Sequence, residues 1–464
     1  MDARDQRIRE LEAENKRLKG RLEALERRLG ITSETSSKPP SSDGLGKKNR
    51  PPLSSRGSGK PRGGQKGHTG KTLDQVAIPD QIVIHAVKSC RLCAADLSQA
   101  GVAKVIKRQV FDIEIRRVVT EHQAEVKRCG CGARTTASFP AQAKAPVQMG
   151  ITARAVALYL SEQFIAKDRL SMVMGDLFSL PVSDTCLLGY EADLARNLGS
   201  LHDESRGYLQ TAAVKNSDET GIRVGGKTQW MHTLCNEAVT YLWYSPQRKC
   251  TLSGVSGVLV HDHYQSYLQL TGVRHAFCNA HHLRELNALK TYEKEPWASD
   301  MHALLTIMCH TKNEGSLSPN KVAFFERIYD KLIQRGIEYH ASVSPPDGGK
   351  KRGRKKRRIG HNLVLRLEKH KEGVLLFLRD PEVPFTNNQA ERDLRMVKTK
   401  QKISGCFRTT TGVQNFAVIR SFIGTLKKQG MNVLEALKMA MIEPMHLSDL
   451  MPPYKTALPV PISG

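Results

Sequence analysis

Gly257-Val258-Leu259-Val260-His261-Asp262-His263-Tyr264 is the stretch on which the fold turns. The run from Gly257 to Val260 is apolar and too short for a helix, so it reads as a strand buried on both faces. Asp262 follows at its end and places a carboxylate at the edge of a sheet. Working outward, one strand run ends at Asp218. Gln229 to Leu234 and Val239 to Tyr244 read as a hairpin around Asn236-Glu237, and Val273 to Phe277 as another strand. A helix opens near Ala280. From 295 to 380 the pattern is mostly helical, and helical spacing returns over Asn388 to Thr399 and Gly412 to Lys428, with Gly430 as a stop and Asn432 as the next cap. Strands followed by flanking helices predict a mixed sheet in an α+β domain.

Toward the N-terminus, Thr152 to Phe164 and Leu170 to Phe178 have helical apolar spacing, and Ser183 can cap a further helix through about Leu198. Helix, short turn and helix resemble a helix-turn-helix DNA reader, although any helical hairpin gives the same pattern. Residues 76–146 hold two strand-like runs, Gln81 to His85 and Val118 to Val126, each followed by a cysteine pair. Cys90-x-x-Cys93 has the usual zinc-knuckle spacing; Cys129-x-Cys131 is one residue tighter. In a reducing compartment such pairs read as metal ligands rather than disulfides, with reduced structural cysteine as the alternative. Residues 32–72 are rich in Ser, Pro, Gly and Lys/Arg and cannot bury a core, so they read as a basic linker. In residues 1–30, Met1, Ile8, Asn15, Leu22 and Leu29 share one heptad position and Leu11, Leu18 and Leu25 another, broken at Arg4. This predicts a short dimerising coiled coil in which Asn15 sets register.

The 464 residues are too many for one compact core. A formal charge of +25, from 71 Lys+Arg against 46 Asp+Glu, fits a polyanionic partner, nucleic acid first. The charge is clustered: Lys350 to Arg358 holds eight basic residues in nine. Lys350, Lys351, Arg352 and Arg354 are therefore candidate phosphate contacts, against the alternative of a solvated loop. There is no run of eighteen apolar residues, and the charged, heptad-patterned N-terminus does not read as a signal peptide. A cytoplasmic, nucleoid-associated protein is expected.

Phosphodiester chemistry needs an activated nucleophile and a stabilised leaving oxyanion, and two Mg²⁺ ions about 3.5–4 Å apart supply both. Mg²⁺ takes oxygen ligands and few protein carboxylates. Three acids stand where strand ends and a helix start would gather them: Asp218, Asp262, and Glu391 in Pro384-Phe385-Thr386-Asn387-Asn388-Gln389-Ala390-Glu391-Arg392. Each has a structural alternative. Asp218 could close a turn, Asp262 could cap a helix beginning near Tyr264, and Asn388 with Glu391 is nearly a capping box. Glu391 and Arg395 could also form an i to i+4 helix salt bridge.

The order and wording of these segments resemble the large transposase of IS66-type insertion sequences. The matching stretches are Lys38-Pro39-Pro40-Ser41-Ser42-Asp43, Gly63-Gly64-Gln65-Lys66-Gly67-His68, Asp218-Glu219-Thr220, Asp262-His263-Tyr264, Cys278-x-x-His281, Thr386-Asn387-Asn388-x-Ala390-Glu391-Arg392-x-Leu394-Arg395 and Ser404-Gly405-x-Phe407-Arg408. The resemblance implies an RNase H-like core of the DDE class, with Asp218, Asp262 and Glu391 as catalytic ligands of Mg²⁺ (or Mn²⁺) and the stretch between Asp262 and Glu391 as an insertion. It also implies a zipper, a zinc-finger-like segment with Cys90, Cys93, Cys129 and Cys131 as Zn²⁺ ligands, and a helical DNA-binding region. Two departures stand out: the tight second cysteine pair, and Asn279 where the family usually has an aromatic residue. Cys278, His281, Arg392 and Arg395 are further candidate DNA contacts, and Lys398, Lys400, Lys402 and Arg408 extend the basic surface.

The expected organisation is a coiled coil at 1–31, a basic linker at 32–75, a zinc-ribbon-like segment at 76–146 and a helix-turn-helix-like region at 147–205. The RNase H-like core follows in two parts, 206–300 and 381–448, split by a helical insertion at 301–380, with a tail at 449–464. Expected partners are double-stranded DNA, a second copy through the coiled coil, and small accessory transposition proteins. Two other readings stay open: a DNA-binding architectural or regulatory protein with an inactive RNase H-like core, and a nuclease on structured or hybrid substrates.

Overall fold

The computed structural model describes residues 73–343 and 357–451. The heptads, nearly all of the basic linker, and Lys350, Lys351, Arg352 and Arg354 lie outside the described residues. Two compact units separate, one of them residues 45–120. Its described part has no named strand. The run Gln81 to His85, read from sequence as a strand, is extended chain without a ladder, and Ile82, Val83 and Ile84 are exposed. Apolar alternation makes a strand only where a partner covers one face. The local order that does form is a turn: Cys90 N–H donates to Ala95 O at 2.9 Å, Ala94 N–H to Cys90 O at 3.0 Å, and Ser89 bridges Asp96.

In the other unit the first strands among the described residues form a small hairpin, β1 (Val126–Arg128) and β2 (Arg134–Thr136), so only the end of the expected 118–126 strand is realised. Four helices follow: α1 (Ile151–Glu162), α2 (Lys167–Phe178), α3 (Asp184–Asn197) and α4 (Gly199–Thr211). Ser183 caps α3 by accepting from Cys186 N–H, as its position predicts. Helical structure continues to Thr211 rather than giving way near 206, because Leu201 and Leu209 are buried on one face of α4.

The sheet has five strands in the order β5-β4-β3-β6-β7: β3 (Val214–Val224), β4 (Lys227–Cys235), β5 (Thr240–Ser245), β6 (Gly257–His261) and β7 (Val273–Phe277). β3, β4 and β5 are antiparallel neighbours, whereas β3, β6 and β7 run parallel. The β3–β4 turn uses Gly225 and Gly226, both at positive φ, as a tight hairpin requires. β6 separates two cores. Leu259 packs in a cluster with residues of α1, α3 and α4, while Val258 and Val260 pack into a second cluster built largely by residues 286–383.

After the short α5 (Gln265–Leu268) come five helices, α6 (Asn279–Ala288), α7 (Pro296–Asn313), α8 (Pro319–Ser342), α9 (Ile359–Lys369) and α10 (Lys371–Arg379). α10 lies directly on β7: a Cβ at Gly373 would stand 2.5 Å from His275 O and 2.6 Å from the Phe277 ring. α11 (Asn388–Ser404) packs on β3 and β4, and α12 (Thr410–Lys428) on β5, where Gly424 leaves room for Thr240. α13 (Val433–Ala440) and α14 (Leu447–Leu450) complete the unit, and Asn432 caps α13 through Leu434 N–H and Glu435 N–H. Among the described residues no helix is long and apolar enough to cross a membrane.

Candidate active site

The parallel pairing of β3 with β6 sets the first two carboxylates. Asn216 is in register with Val260, and two residues further along each chain stand Asp218 and Asp262. Asp218 is inside a longer strand rather than at its end, because β3 runs on to Val224 against β4 and pairs Asp218 with Thr233. It closes no turn, and its Oδ1 accepts from Glu219 N–H at 2.9 Å. Asp262 directly follows β6, and its Oδ1 accepts from Tyr264 N–H at 2.8 Å. This is a local turn and not a helix cap, because the N-cap of the following helix is Tyr264 and no side chain caps it.

Both carboxyls are pushed above the usual range. Burial does most of this at Asp218, and the charges of Glu219, Asp262 and Glu391 add to it. At Asp262 burial again comes first, with Glu219 next among the groups that raise it. These are carboxylates gathered against one another, the situation in which like charges disfavour ionisation.

Glu391 arrives from the other end of the chain. The capping-box alternative does not hold: the N-cap is Asn387, it makes no side-chain cap bond, and Glu391 lies one residue beyond the third helical position. The ion pair of Glu391 is with Arg284, a loose 3.9 Å, rather than with Arg395. Arg392 and Arg395 are both exposed, and Arg392 donates to Gln389 Oε1 at 2.7 Å.

Asn387, quoted from sequence only as part of a motif, fixes this helix start. Its Nδ2 donates to Ser217 O at 2.8 Å and its Oδ1 accepts from Asn216 Nδ2 at 2.9 Å. Its backbone N–H donates to Cys278 Sγ at 3.2 Å. One buried amide thereby ties α11 to the strand carrying Asp218 and to the end of β7. Cys278 is buried, its thiol pushed up to about 11 by burial. His281, three residues on, is held down to about 4, by burial first and then by Arg284. The ligand atoms of Cys278, His281 and Glu391 all lie within 4.8 Å of one another; among the described residues Asp218 and Asp262 do not join that set.

Two further groups escape any reading of sequence spacing. Glu219, with its side chain 2% exposed, accepts from Tyr267 Oη at 2.8 Å and Arg248 Nε at 2.9 Å. The Arg248 guanidinium lies over the rings of Tyr264 and Trp230, 4.1 and 5.0 Å from their centroids. This holds a cation beside Asp262, whose carboxyl it helps to lower. On the other flank, Asn279 Nδ2 donates to Val374 O at 3.0 Å, so its Oδ1 accepts from His282 Nδ1–H at 2.8 Å. The Nε2 atoms of His282 and His263 are 2.7 Å apart, which makes His263 the donor. Asn279 thus joins α10, α6 and the segment behind Asp262, work that an aromatic side chain could not do.

A groove of about 290 Å³ opens next to α11, lined by Arg392, Arg420, Lys427 and Lys428 with Asp393 and Gln389 among its walls. Lys428 is paired with Asp393 at 2.8 Å and Arg420 with Glu162 at 3.3 Å. Arg392 and Lys427 remain as cations facing solvent in this groove.

The cysteine pairs each form a turn of their own. Cys90 is lowered by hydrogen bonds to its sulfur, that from Cys93 N–H first. Cys129 is lowered in the same way, first by Cys131 N–H, and its own N–H donates to Ala133 O at 2.8 Å with Gly132 at positive φ.

The family model described as "Transposase IS66 family" matches residues 146–415, more than half of the chain. The chain belongs to this transposase family. The match spans the helices α1 to α4, the whole sheet, the insertion and α11, and so contains every carboxylate described above. A second model, of a family of unknown function (DUF6444), matches residues 2–74. No curated protein matches the chain.

Proposed function

We propose that this IS66-family transposase is a DDE-class enzyme that binds insertion-sequence ends and carries out metal-dependent strand cleavage and strand transfer through Asp218, Asp262 and Glu391. The observation that carries the reading is that Asp218 and Asp262 each stand two residues beyond the in-register pair Asn216–Val260 of adjacent parallel strands, with Glu391 near enough to raise the Asp218 carboxyl. The donor set fits Mg²⁺ or Mn²⁺, because it is all oxygen and its mutual repulsion is the imbalance a divalent cation relieves. Bound there, such ions supply Lewis acidity and an acidified water.

The chain's own groups hold and orient. Asp218 and Asp262 are fixed by strand register, and Glu391 by Asn387. Arg248, gripped by Glu219 and two aromatic rings, offers a positioned cation for a phosphate oxygen beside Asp262. Arg392 and Lys427 extend that cationic surface along the groove, with Arg395 exposed on the same helix. In the first step a water oxygen attacks the phosphorus at the element end, the P–O3′ bond breaks, and the proton from water is taken up as the 3′-OH leaves. In the second, that 3′-OH attacks a target phosphodiester and displaces its 3′ oxygen. No covalent protein–DNA intermediate is involved.

The cysteine knuckles are proposed as zinc turns and the N-terminal heptads as a dimerising helix; the basic run from Lys350 to Arg358 is proposed to contact DNA, and small accessory proteins to assist. The deciding experiment is Mg²⁺- or Mn²⁺-dependent nicking of DNA carrying the element's own ends, wild type against Asp262→Ala. Nicking by the wild type alone supports the reading. Equal activity in both leaves a DNA-binding protein with an inactive core, and cleavage of RNA–DNA hybrids without end preference leaves a nuclease.

A further inference from the structure

Glu391 faces two different chemistries. On one side is Asp218, an oxygen donor whose carboxyl Glu391 helps to raise. On the other are a thiol and an imidazole from one turn of α6: Cys278 at its N-cap and His281 three residues on. The ligand atoms of these two and of Glu391 lie within 4.8 Å of one another.

This corner is poorly satisfied by the protein's own groups. His281 Nδ1 is buried without a hydrogen-bond partner, and so is Arg284 Nε. The cation nearest Glu391, Arg284, stands off at 3.9 Å. A buried ring nitrogen with no partner costs free energy. Packing accounts for Cys278 as a small apolar filler whose sulfur takes up Asn387 N–H; it does not account for His281.

We propose that Cys278, His281 and Glu391 form a site for one borderline-soft divalent cation of the Zn²⁺ class, separate from the oxygen-ligated site and competing with it for Glu391. Sulfur, nitrogen and carboxylate oxygen are the donors that zinc takes in tetrahedral sites with a fourth position open. Mg²⁺ and Mn²⁺ prefer oxygen and gain little from thiolate or imidazole. Tetrahedral bonds of about 2.0–2.3 Å put ligand atoms roughly 3.5 Å apart, so closing the set takes about 1 Å of side-chain rotation. Asn387 N–H on the sulfur is the kind of outer-sphere donor that orients a metal-bound thiolate. Since Asn387 also anchors the strand bearing Asp218, the soft site and the carboxylates share one scaffold. Loading the soft site holds Glu391 toward α6 and away from Asp218.

The proposal shares Glu391 with the catalytic reading but does not rest on it. Its test is a Co²⁺ titration of the full-length protein, followed by the thiolate-to-cobalt absorption in the near ultraviolet and the tetrahedral bands in the visible. Wild type, Cys278→Ala, His281→Gln and Asp262→Asn are compared. The four cysteines of the knuckles contribute equally to all four proteins, so differences isolate this site. The expected result is loss of about one equivalent's worth of thiolate-to-cobalt absorption and tetrahedral bands in Cys278→Ala and His281→Gln, with both signals retained in Asp262→Asn. Unchanged stoichiometry and spectrum in His281→Gln, with wild-type circular dichroism, would overturn the proposal even if Cys278→Ala fails to fold. Nicking activity of Asp262→Asn is read in parallel, so a failure of the catalytic reading shows there and leaves the cobalt result standing.

Discussion

Asp218 and Asp262 reach the site by a different route from Glu391. The two aspartates are set by backbone: each stands two residues beyond the last in-register pair of β3 and β6. Glu391 rides on a helix that follows a long insertion, and its place depends on side chains, chiefly Asn387 reaching Ser217 across 170 residues. The lesson is that one half of this site is as robust as the sheet, while the other is as robust as a single buried amide and the packing of α10 and α11.

Replacing an aspartate is the harshest way to probe the first half. Asp218→Asn or Asp262→Asn is expected to cut the end-nicking rate by about 10³-fold or more, equivalent to roughly 4 kcal/mol of transition-state stabilisation. The same change has an opposite effect on stability. The Asp218 carboxyl is raised in the fold by burial and by its acidic neighbours. Between the unfolded and folded pKa the native state therefore binds more protons, and stability falls as pH rises through that window. Asp218→Asn removes this penalty, so metal-free protein at neutral pH should melt higher, by about 2–4 °C for each kcal/mol of repulsion relieved. A lower melting temperature in thermal denaturation would mark Asp218 as structural and break the comparison.

The second half should yield to Asn387→Ala. That change strips two hydrogen bonds and leaves Asn216 Nδ2 without its partner, at a cost of about 1–3 kcal/mol. With α11 free to shift by about 1 Å, nicking should fall on the order of 10²-fold while aspartate-dependent Mn²⁺ binding persists. Gly373→Ala is a milder probe, since its Cβ would meet His275 O and Phe277. We expect about 1–3 kcal/mol of destabilisation by overpacking, read by urea denaturation, with a smaller loss of nicking. The smallest effect is pH. Cation binding needs ionised carboxyls, so nicking should decline as pH falls through a midpoint above the ordinary carboxylate value of about 4. In single-turnover assays, a midpoint at or below that value would remove the argument from mutual repulsion.

Much of this was legible in sequence, and the reasons separate along the same line. β6, β7, the β4–β5 hairpin, the Ser183 and Asn432 caps and the ends of α2 and α12 follow from local patterns, because burial and capping act over a few residues. The three carboxylates are proposed from their order along the chain together with the family resemblance. What local pattern could not supply was any bond between distant segments: Asn387 to Ser217, Asn279 to Val374, Glu219 to Arg248 and Tyr267. The same limit worked in reverse at Gln81 to His85, where strand-like alternation had no neighbour to pair with. Local spacing suggests a capping box from Asn388 to Glu391 that the structure does not form, because the N-cap is Asn387 and not Asn388.

Direct ligation by the strand carboxylates is the central claim, and a cysteine in place of Asp218 tests it. Asp218→Cys exchanges a hard oxygen donor for a thiolate, which Mg²⁺ binds poorly and the softer Mn²⁺ binds better. Single-turnover nicking of end DNA by this variant should be undetectable in Mg²⁺ and partly restored in Mn²⁺, while Asp218→Ala stays inactive in both. Wild-type rates for Asp218→Cys in Mg²⁺ would contradict the account.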